Sequence, residues 1–309
     1  VKKDLLSIED LTQVEIVSLL ESTRALKAQR GPVRDLQGKS LGMIFQKPST
    51  RTAVSFAVAM YELGGLPLFL NAQDLQLKRG ESLGDTAKTL SRYLSGIMIR
   101  ANKHSEVEEL AKHATLPVIN GLTDKEHPCQ VLGDLFTILE VFKLKDPRQL
   151  KNYRVAYVGD GNNVAQSWML AAGLLGMELV VCSPEGYLPE KEFIARASAV
   201  CGKSGGKVLY EKDPKTAVAG AAVIYTDVWA SMGKDEEHDR RKQVFSSYQV
   251  NETLLQNAGK NAVVMHCLPA HRGEEITDGV MDGPRSVVFD QAENRLHVQK
   301  AVLLQYLKK

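Results

Sequence analysis

An excess of charge of either sign is missing from this sequence: 39 Lys and Arg stand against 37 Asp and Glu, so nothing in the composition points to a polyanion-binding surface. Aromatic side chains are scarce, at 6% of residues, too few for a base-stacking platform. No apolar run is long enough to span a bilayer, and Val1-Lys2-Lys3-Asp4 does not open a secretory signal. The cysteines are few and scattered: Cys129, Cys182, Cys201 and Cys267 form no C-x-x-C pair. That spacing argues against a zinc ribbon or a disulfide framework and for reduced thiols in a cytoplasmic setting. No repeat of 20 to 50 residues and no low-complexity tract interrupts the pattern.

What is present is an alternation of short apolar runs with helical stretches. Ser7-Ile8-Glu9-Asp10 reads as a capping box opening a helix through about Leu26. Four candidate strands follow: Leu41 to Phe45, Pro67 to Leu70, Gly96 to Ile99 and Pro117 to Ile119. A second series comprises Arg154 to Val158, Glu178 to Cys182, Lys207 to Tyr210, Ala222 to Tyr225, Ala262 to Met265 and Ser286 to Phe289. Most are continuous rather than alternating, as expected of strands covered by helices on both faces. The class is therefore α/β: two lobes, each a parallel sheet flanked by helices. The helical pattern Val131 to Lys143, ending at Lys145-Asp146-Pro147, separates the series, giving domains 1–133 and 134–291. A last helix, 292–309, is expected to pack on the first domain.

The unusual polar clusters fall directly after strands, where ligands bind in open parallel sheets, so an active site in a cleft between the lobes is expected. Ser49-Thr50-Arg51-Thr52 lies between a strand and a helix, and hydroxyls, free N–H groups and a guanidinium there suit an anion. Read alone it is an ordinary N-cap with a solvated arginine. His127-Pro128-Cys129-Gln130 opens another helix, where a neutral imidazole and an amide could stabilise a carbonyl oxyanion, or simply cap it. Gly159-Asp160-Gly161-Asn162-Asn163 resembles the start of a dinucleotide fingerprint but lacks its third glycine. Its asparagines suit either a carboxylate or a plain turn. Asp227 to Gly233 places a carboxylate and a hydroxyl before the charged run 234–242, itself expected to be a solvated face. His266 and Cys267 are adjacent, so in a strand they point to opposite faces and make a poor nucleophilic dyad.

Taken in order, these segments resemble the transcarbamoylase family over nearly the whole chain. Ser-Thr-Arg-Thr is similar to its carbamoyl phosphate loop and His127-Pro128-Cys129-Gln130 to its His-Pro-x-Gln signature. Asp227-x-x-x-Ser231-Met232-Gly233 and His266-Cys267-Leu268-Pro269 resemble the ornithine-using branch. The resemblance implies carbamoyl transfer from carbamoyl phosphate to L-ornithine, without cofactor or metal. It implies catalytic roles for Arg51, Arg100, His127, Gln130, Cys267 and Arg295. Carbamoyl phosphate would be held by Ser49, Thr50, Arg51, Thr52, Arg100, His127, Gln130, Cys267, Leu268 and Arg295. Ornithine would be held by Asn163, Asp227, Ser231, Met232, Cys267 and Leu268. A homotrimer or an assembly of trimers is also implied, with a loop near Gln76 to Leu83 serving a neighbouring site. Neither nucleic acid nor membrane is an expected partner. The chain departs from the family at Ala53 and Ala57, where Arg and Glu are usual and, being i and i+4, could pair. Rival readings are transfer to putrescine or N-acetylornithine, a dehydrogenase resting on the glycine pattern, and a binder without turnover.

Overall fold

The computed structural model describes residues 3–29, 33–76, 80–230 and 235–308. The chain forms two compact units, Val1–Phe136 with Glu293–Lys309, and Thr137–Ala292. In the first, strands β1 (Ser40–Phe45), β2 (Leu66–Asn71), β3 (Gly96–Arg100) and β4 (Val118–Leu122) form a parallel sheet in the order β2-β1-β3-β4. Its helices are α1 (Gln13–Ala28), α2 (Thr50–Glu62), α3 (Leu83–Leu90), α4 (His104–His113) and the start of α5 (Pro128–Val141). The inner strands β1 and β3 are buried almost throughout, but the edge strand β2 exposes Leu66, Leu68 and Phe69.

The second unit holds β5 (Arg154–Val158), β6 (Glu178–Cys182), β7 (Lys207–Glu211), β8 (Val223–Thr226) and β9 (Val263–His266), all parallel in the order β7-β6-β5-β8-β9. Helices α6 (Asn163–Leu175), α7 (Lys191–Ser204), α8 (Pro214–Val218), α9 (Asp235–Phe245), α10 (Glu252–Gln256) and α11 (Asp278–Met281) accompany them, and α12 (Val288–Leu307) starts here. Among the described residues no helix is long and apolar enough to cross a membrane.

Each sheet is wound outward in two directions from its middle. The chain passes from β1 to β2 on one side and from β3 to β4 on the other, and likewise β5-β6-β7 against β8-β9. The reversals fall between β1 and β3 and between β5 and β8, the places where loops diverge and leave a crevice at the carboxyl ends of the strands.

Two expectations need correction. The Ser7 capping box opens only a 3₁₀ turn, Ile8–Asp10, and α1 begins after a second box made by Thr12 and Glu15. Ser286 to Phe289 is not a strand: Ser286 makes one bridge to Val264, and Val288 already begins α12. The reason is a competing acceptor. The Gln291 side chain takes the N–H of His266 at 2.9 Å, closing β9 to further backbone pairing.

Candidate active site

The first polar cluster lies at the β1/β3 reversal. Ser49 caps α2, its Oγ accepting from the Thr52 N–H at 3.4 Å, while Arg100 at the end of β3 donates to the same oxygen at 3.1 Å. Thr50 and Arg51, in the first turn, are exposed, and Thr52 is buried. This end of a helix therefore presents N–H groups, hydroxyls and guanidinium charge together. Helix α2 runs unbroken through Ala53 and Ala57, both half-buried, as alanine's helix propensity favours.

After β4 the chain turns tightly so that His127 precedes Pro128, the first residue of α5. Thr123 organises the turn, its Oγ accepting from the Glu126 N–H at 3.1 Å, and the buried Glu126 carboxylate accepts from the Ile8 N–H at 3.1 Å. His127 is buried, and desolvation, then the positive charges of Arg295, Arg100 and Arg51, hold its imidazole well below the usual histidine range. It is neutral at physiological pH. One turn on, Gln130 donates from Nε2 to Asp134 at 2.8 Å and accepts from Arg295 at 2.5 Å. With its carbonyl engaged by the guanidinium, the amide keeps a second N–H for a ligand. Arg295 crosses α5 at Gly133, where a Cβ would stand 3.2 Å from the arginine Cδ. Cys129 is buried, and desolvation pushes its thiol up to about 11, which makes it inert packing.

The second cluster lies at the β5/β8 reversal and is built on one carboxylate. Buried Asp227 follows β8, and its Oδ1 accepts from the Val228 N–H at 2.8 Å and the Cys267 thiol at 3.0 Å. Its Oδ2 accepts from Asn162 Nδ2 at 2.7 Å. Asn162 caps α6 with its other atom, Oδ1, which accepts from Val164, Ala165 and the Tyr157 hydroxyl. Three donors fix Asp227, and two carboxylate oxygens still offer lone-pair directions to a cation. Asn163 opens α6 and is half-buried. Leu268 has φ of 60°, an unusual left-handed conformation for a branched residue.

His266 and Cys267 part company as their adjacency demands. His266 Nδ1 accepts from the Leu268 N–H at 2.8 Å, so Nε2 carries the proton and donates to buried Glu275 at 3.0 Å. Ser231 and Met232 lie outside the described residues.

Two features escaped sequence reading. Asn162, rather than Asn163 alone, is the residue that orients Asp227, and nothing in a single sequence separates the neighbours. The charged run 234–242 is only partly a solvated face: Arg241 is buried and donates to Asp160 at 2.8 Å and to the Trp229 carbonyl at 2.6 Å. Its position three residues after His238 and four before Phe245, on one helical face, was the available signal. Gly161 also has a plain explanation. A Cβ there would come within 2.3 Å of the Pro189 backbone nitrogen, so the glycine makes room for the chain itself.

Comparison with known proteins agrees in both units. The carbamoyl-P binding domain of aspartate/ornithine carbamoyltransferase matches residues 3–140, and the Asp/Orn binding domain matches residues 151–306. An ornithine carbamoyltransferase of Methanosarcina acetivorans is 53% identical over 99% of this chain and 100% of its own. An anabolic ornithine carbamoyltransferase of Pyrococcus furiosus is 54% identical over 97% of this chain and 95% of its own. The solved ornithine carbamoyltransferase from Pyrococcus furiosus superposes with a TM-score of 0.94 over 99% of this chain and 97% of that one, at 54% identity. That from Thermus thermophilus gives 0.89 over 99% of both chains at 42% identity.

Proposed function

The chain thus belongs to the aspartate/ornithine carbamoyltransferase family, and we propose that it moves the carbamoyl group of carbamoyl phosphate to the side-chain amine of L-ornithine, giving L-citrulline and phosphate. The observation that carries this reading is a neutral, buried His127 whose pKa is depressed first by desolvation and then by the charges of Arg295, Arg100 and Arg51. Such a histidine is a poor base and a good hydrogen-bond donor, which suits a substrate whose carbonyl becomes an oxyanion.

In this reading Ser49, Thr50, Thr52, Arg51 and Arg100 take the phosphate at the start of α2. His127, Gln130 and Arg295, with Arg100, donate to the carbamoyl oxygen. Asp227 binds the α-ammonium of ornithine and Asn163 its carboxylate, with Ser231 and the Met232 N–H completing that grip. Cys267 and Leu268 line the path of the side-chain amine. That amine, with a lysine-like pKa near ~10.4, is overwhelmingly protonated at pH 7, and only its neutral form attacks. The nitrogen of the neutral amine bonds to the carbamoyl carbon, the carbon–oxygen bond to phosphate breaks, and phosphate leaves with the electron pair. The nitrogen gives one of its two protons to the departing phosphate and keeps the other in citrulline. No cofactor enters this chemistry.

Quaternary structure and compartment belong to the same proposal. A homotrimer, or an assembly of trimers, would cover the apolar side chains that the first unit exposes at Val54, Tyr61, Leu66 and Phe69. Four free cysteines support a reducing, cytoplasmic setting.

A citrulline assay with ornithine, putrescine, N-acetylornithine and aspartate as acceptors tests the assignment. Ornithine should give the highest kcat/KM by a wide margin. A better rate with putrescine would show that Asp227 and Asn163 do not serve an amino-acid head, and absent turnover with every acceptor would remove the enzyme reading.

A further inference from the structure

We propose that His238, His271 and Glu274 form a binding site for a zinc-class dication, separate from the residues that hold ornithine. One ligand atom from each lies within 4.8 Å of the others. His238 Nε2 is 3.2 Å and His271 Nδ1 is 3.8 Å from the same oxygen, Glu274 Oε2. Bonds of ~2.0–2.2 Å to a tetrahedral zinc put neighbouring ligand atoms about 3.3–3.5 Å apart, so small side-chain rotations complete the geometry.

The site is built on a stiff frame. His271 and Glu274 lie on one tight turn, closed by the Glu274 N–H donating to the His271 carbonyl at 2.9 Å, with Gly273 left-handed at φ of 82°. The turn is anchored below by buried Glu275, which accepts from the His271 N–H at 2.6 Å, and from the side by Gln249, which donates to the carbonyls of Gly273 and Glu274. His238 comes from α9, on the face that also carries buried Arg241 and Phe245. Its second nitrogen, Nδ1, faces the exposed Asp239 carboxylate at 3.6 Å, so Nε2 is the nitrogen turned toward Glu274.

Lys242 approaches the other oxygen, Glu274 Oε1, at 3.4 Å and leaves Oε2 facing the histidines. Two imidazoles and one carboxylate favour zinc or nickel over magnesium or calcium, and solvent at exposed His271 can supply a fourth ligand. Occupancy would clamp α9 to the turn that follows β9, joining His238 to His271, 33 residues apart in sequence. The same side chains without a metal are a surface ion-pair network, and the experiment separates the two.

The full chain, stripped with a chelator, is titrated with Zn²⁺ by calorimetry and with Co²⁺ by absorption. One ion per chain should bind without a thiolate charge-transfer band, and Zn²⁺ should raise Tm. His238→Ala, His271→Ala and the isosteric Glu274→Gln should each weaken binding at least tenfold and abolish the Tm rise. Equal affinity in all three variants, a Co²⁺ spectrum dominated by thiolate from Cys267, or no binding at all would overturn the proposal.

Discussion

The clusters at the two sheet reversals use opposite electrostatics. At β1/β3 the guanidiniums of Arg51, Arg100 and Arg295 surround a neutral histidine, a field that attracts an anion. At β5/β8 a single buried carboxylate, Asp227, is held by neutral donors from Asn162, Cys267 and its own backbone neighbour, an arrangement that attracts a cation. Net charge near zero over the whole chain hides this division. Local sign, set by which few groups share a crevice, decides what binds there.

The largest test of that contrast is Arg295→Met. It removes both a charge near His127 and the guanidinium that donates to the Gln130 carbonyl, so kcat should fall by roughly 10²–10³ with ornithine KM little changed. A fall under about fivefold in single-turnover assays would mean that the cationic cluster is not where the oxyanion forms.

On the other side, Asp227→Asn deletes the charge but keeps the shape. A hydrogen bond to a charged group contributes ~1.5–3 kcal/mol, so ornithine KM should rise roughly 10- to 150-fold while carbamoyl phosphate KM stays within threefold. Asn162→Asp sharpens the point. It preserves the cap on α6 but sets a second carboxylate where an amide now donates to Asp227, and ornithine KM should rise about tenfold with the helix intact. Equal changes in both KM values would sink the separate assignment of the two clusters.

A smaller effect concerns pH. His127 has a folded pKa depressed below its ordinary value of 6.5, so the unfolded chain binds a proton that the native one refuses. Its contribution to stability is complete above pH 6.5 and is lost as pH falls from there toward the depressed value, by about 1.4 kcal/mol per pH unit. Urea unfolding of His127→Asn at pH 7, 6 and 5 should show a correspondingly shallower decline; parallel slopes would mean that the native imidazole does take up the proton. The smallest effect is expected from restoring charge with Ala53→Arg/Ala57→Glu. An i,i+4 ion pair is worth ~0.2–0.5 kcal/mol, so carbamoyl phosphate KM should move less than about threefold. A tenfold gain in affinity would show that the alanines weaken the anion grip.

Much of the fold was legible because each strand is a short apolar run between helical stretches. Most strand ends were read to within a residue or two, although β4 runs three residues past the expected Ile119, and the polar clusters were placed at the right carboxyl ends. The start of α1 was misread for a local reason, the second capping box at Thr12 and Glu15, whereas two other misreadings turn on contacts from far along the sequence. Gln291 capping β9 ended the expected strand at Ser286, and nothing local announces that. Arg241 looked like one charge among many until Asp160 and the Trp229 carbonyl claimed it. Contiguous motifs such as Ser49 to Thr52 survive translation from sequence to site because a helix N-terminus forms locally. Arg295 entered the sequence reading only through family resemblance.

By itself the sequence determined the class of fold, the order of its strands along the chain, and the chemical types available after each strand. It did so because backbone hydrogen bonding and apolar periodicity are short-range properties. The tertiary structure decided which strands are neighbours, and so which loops meet. Placing β1 beside β3 brings Arg100 to Ser49, and placing β5 beside β8 brings Asn162 to Asp227. It also decided protonation: His127 is neutral because burial and three distant arginines make its charge costly, and no stretch of sequence contains that fact.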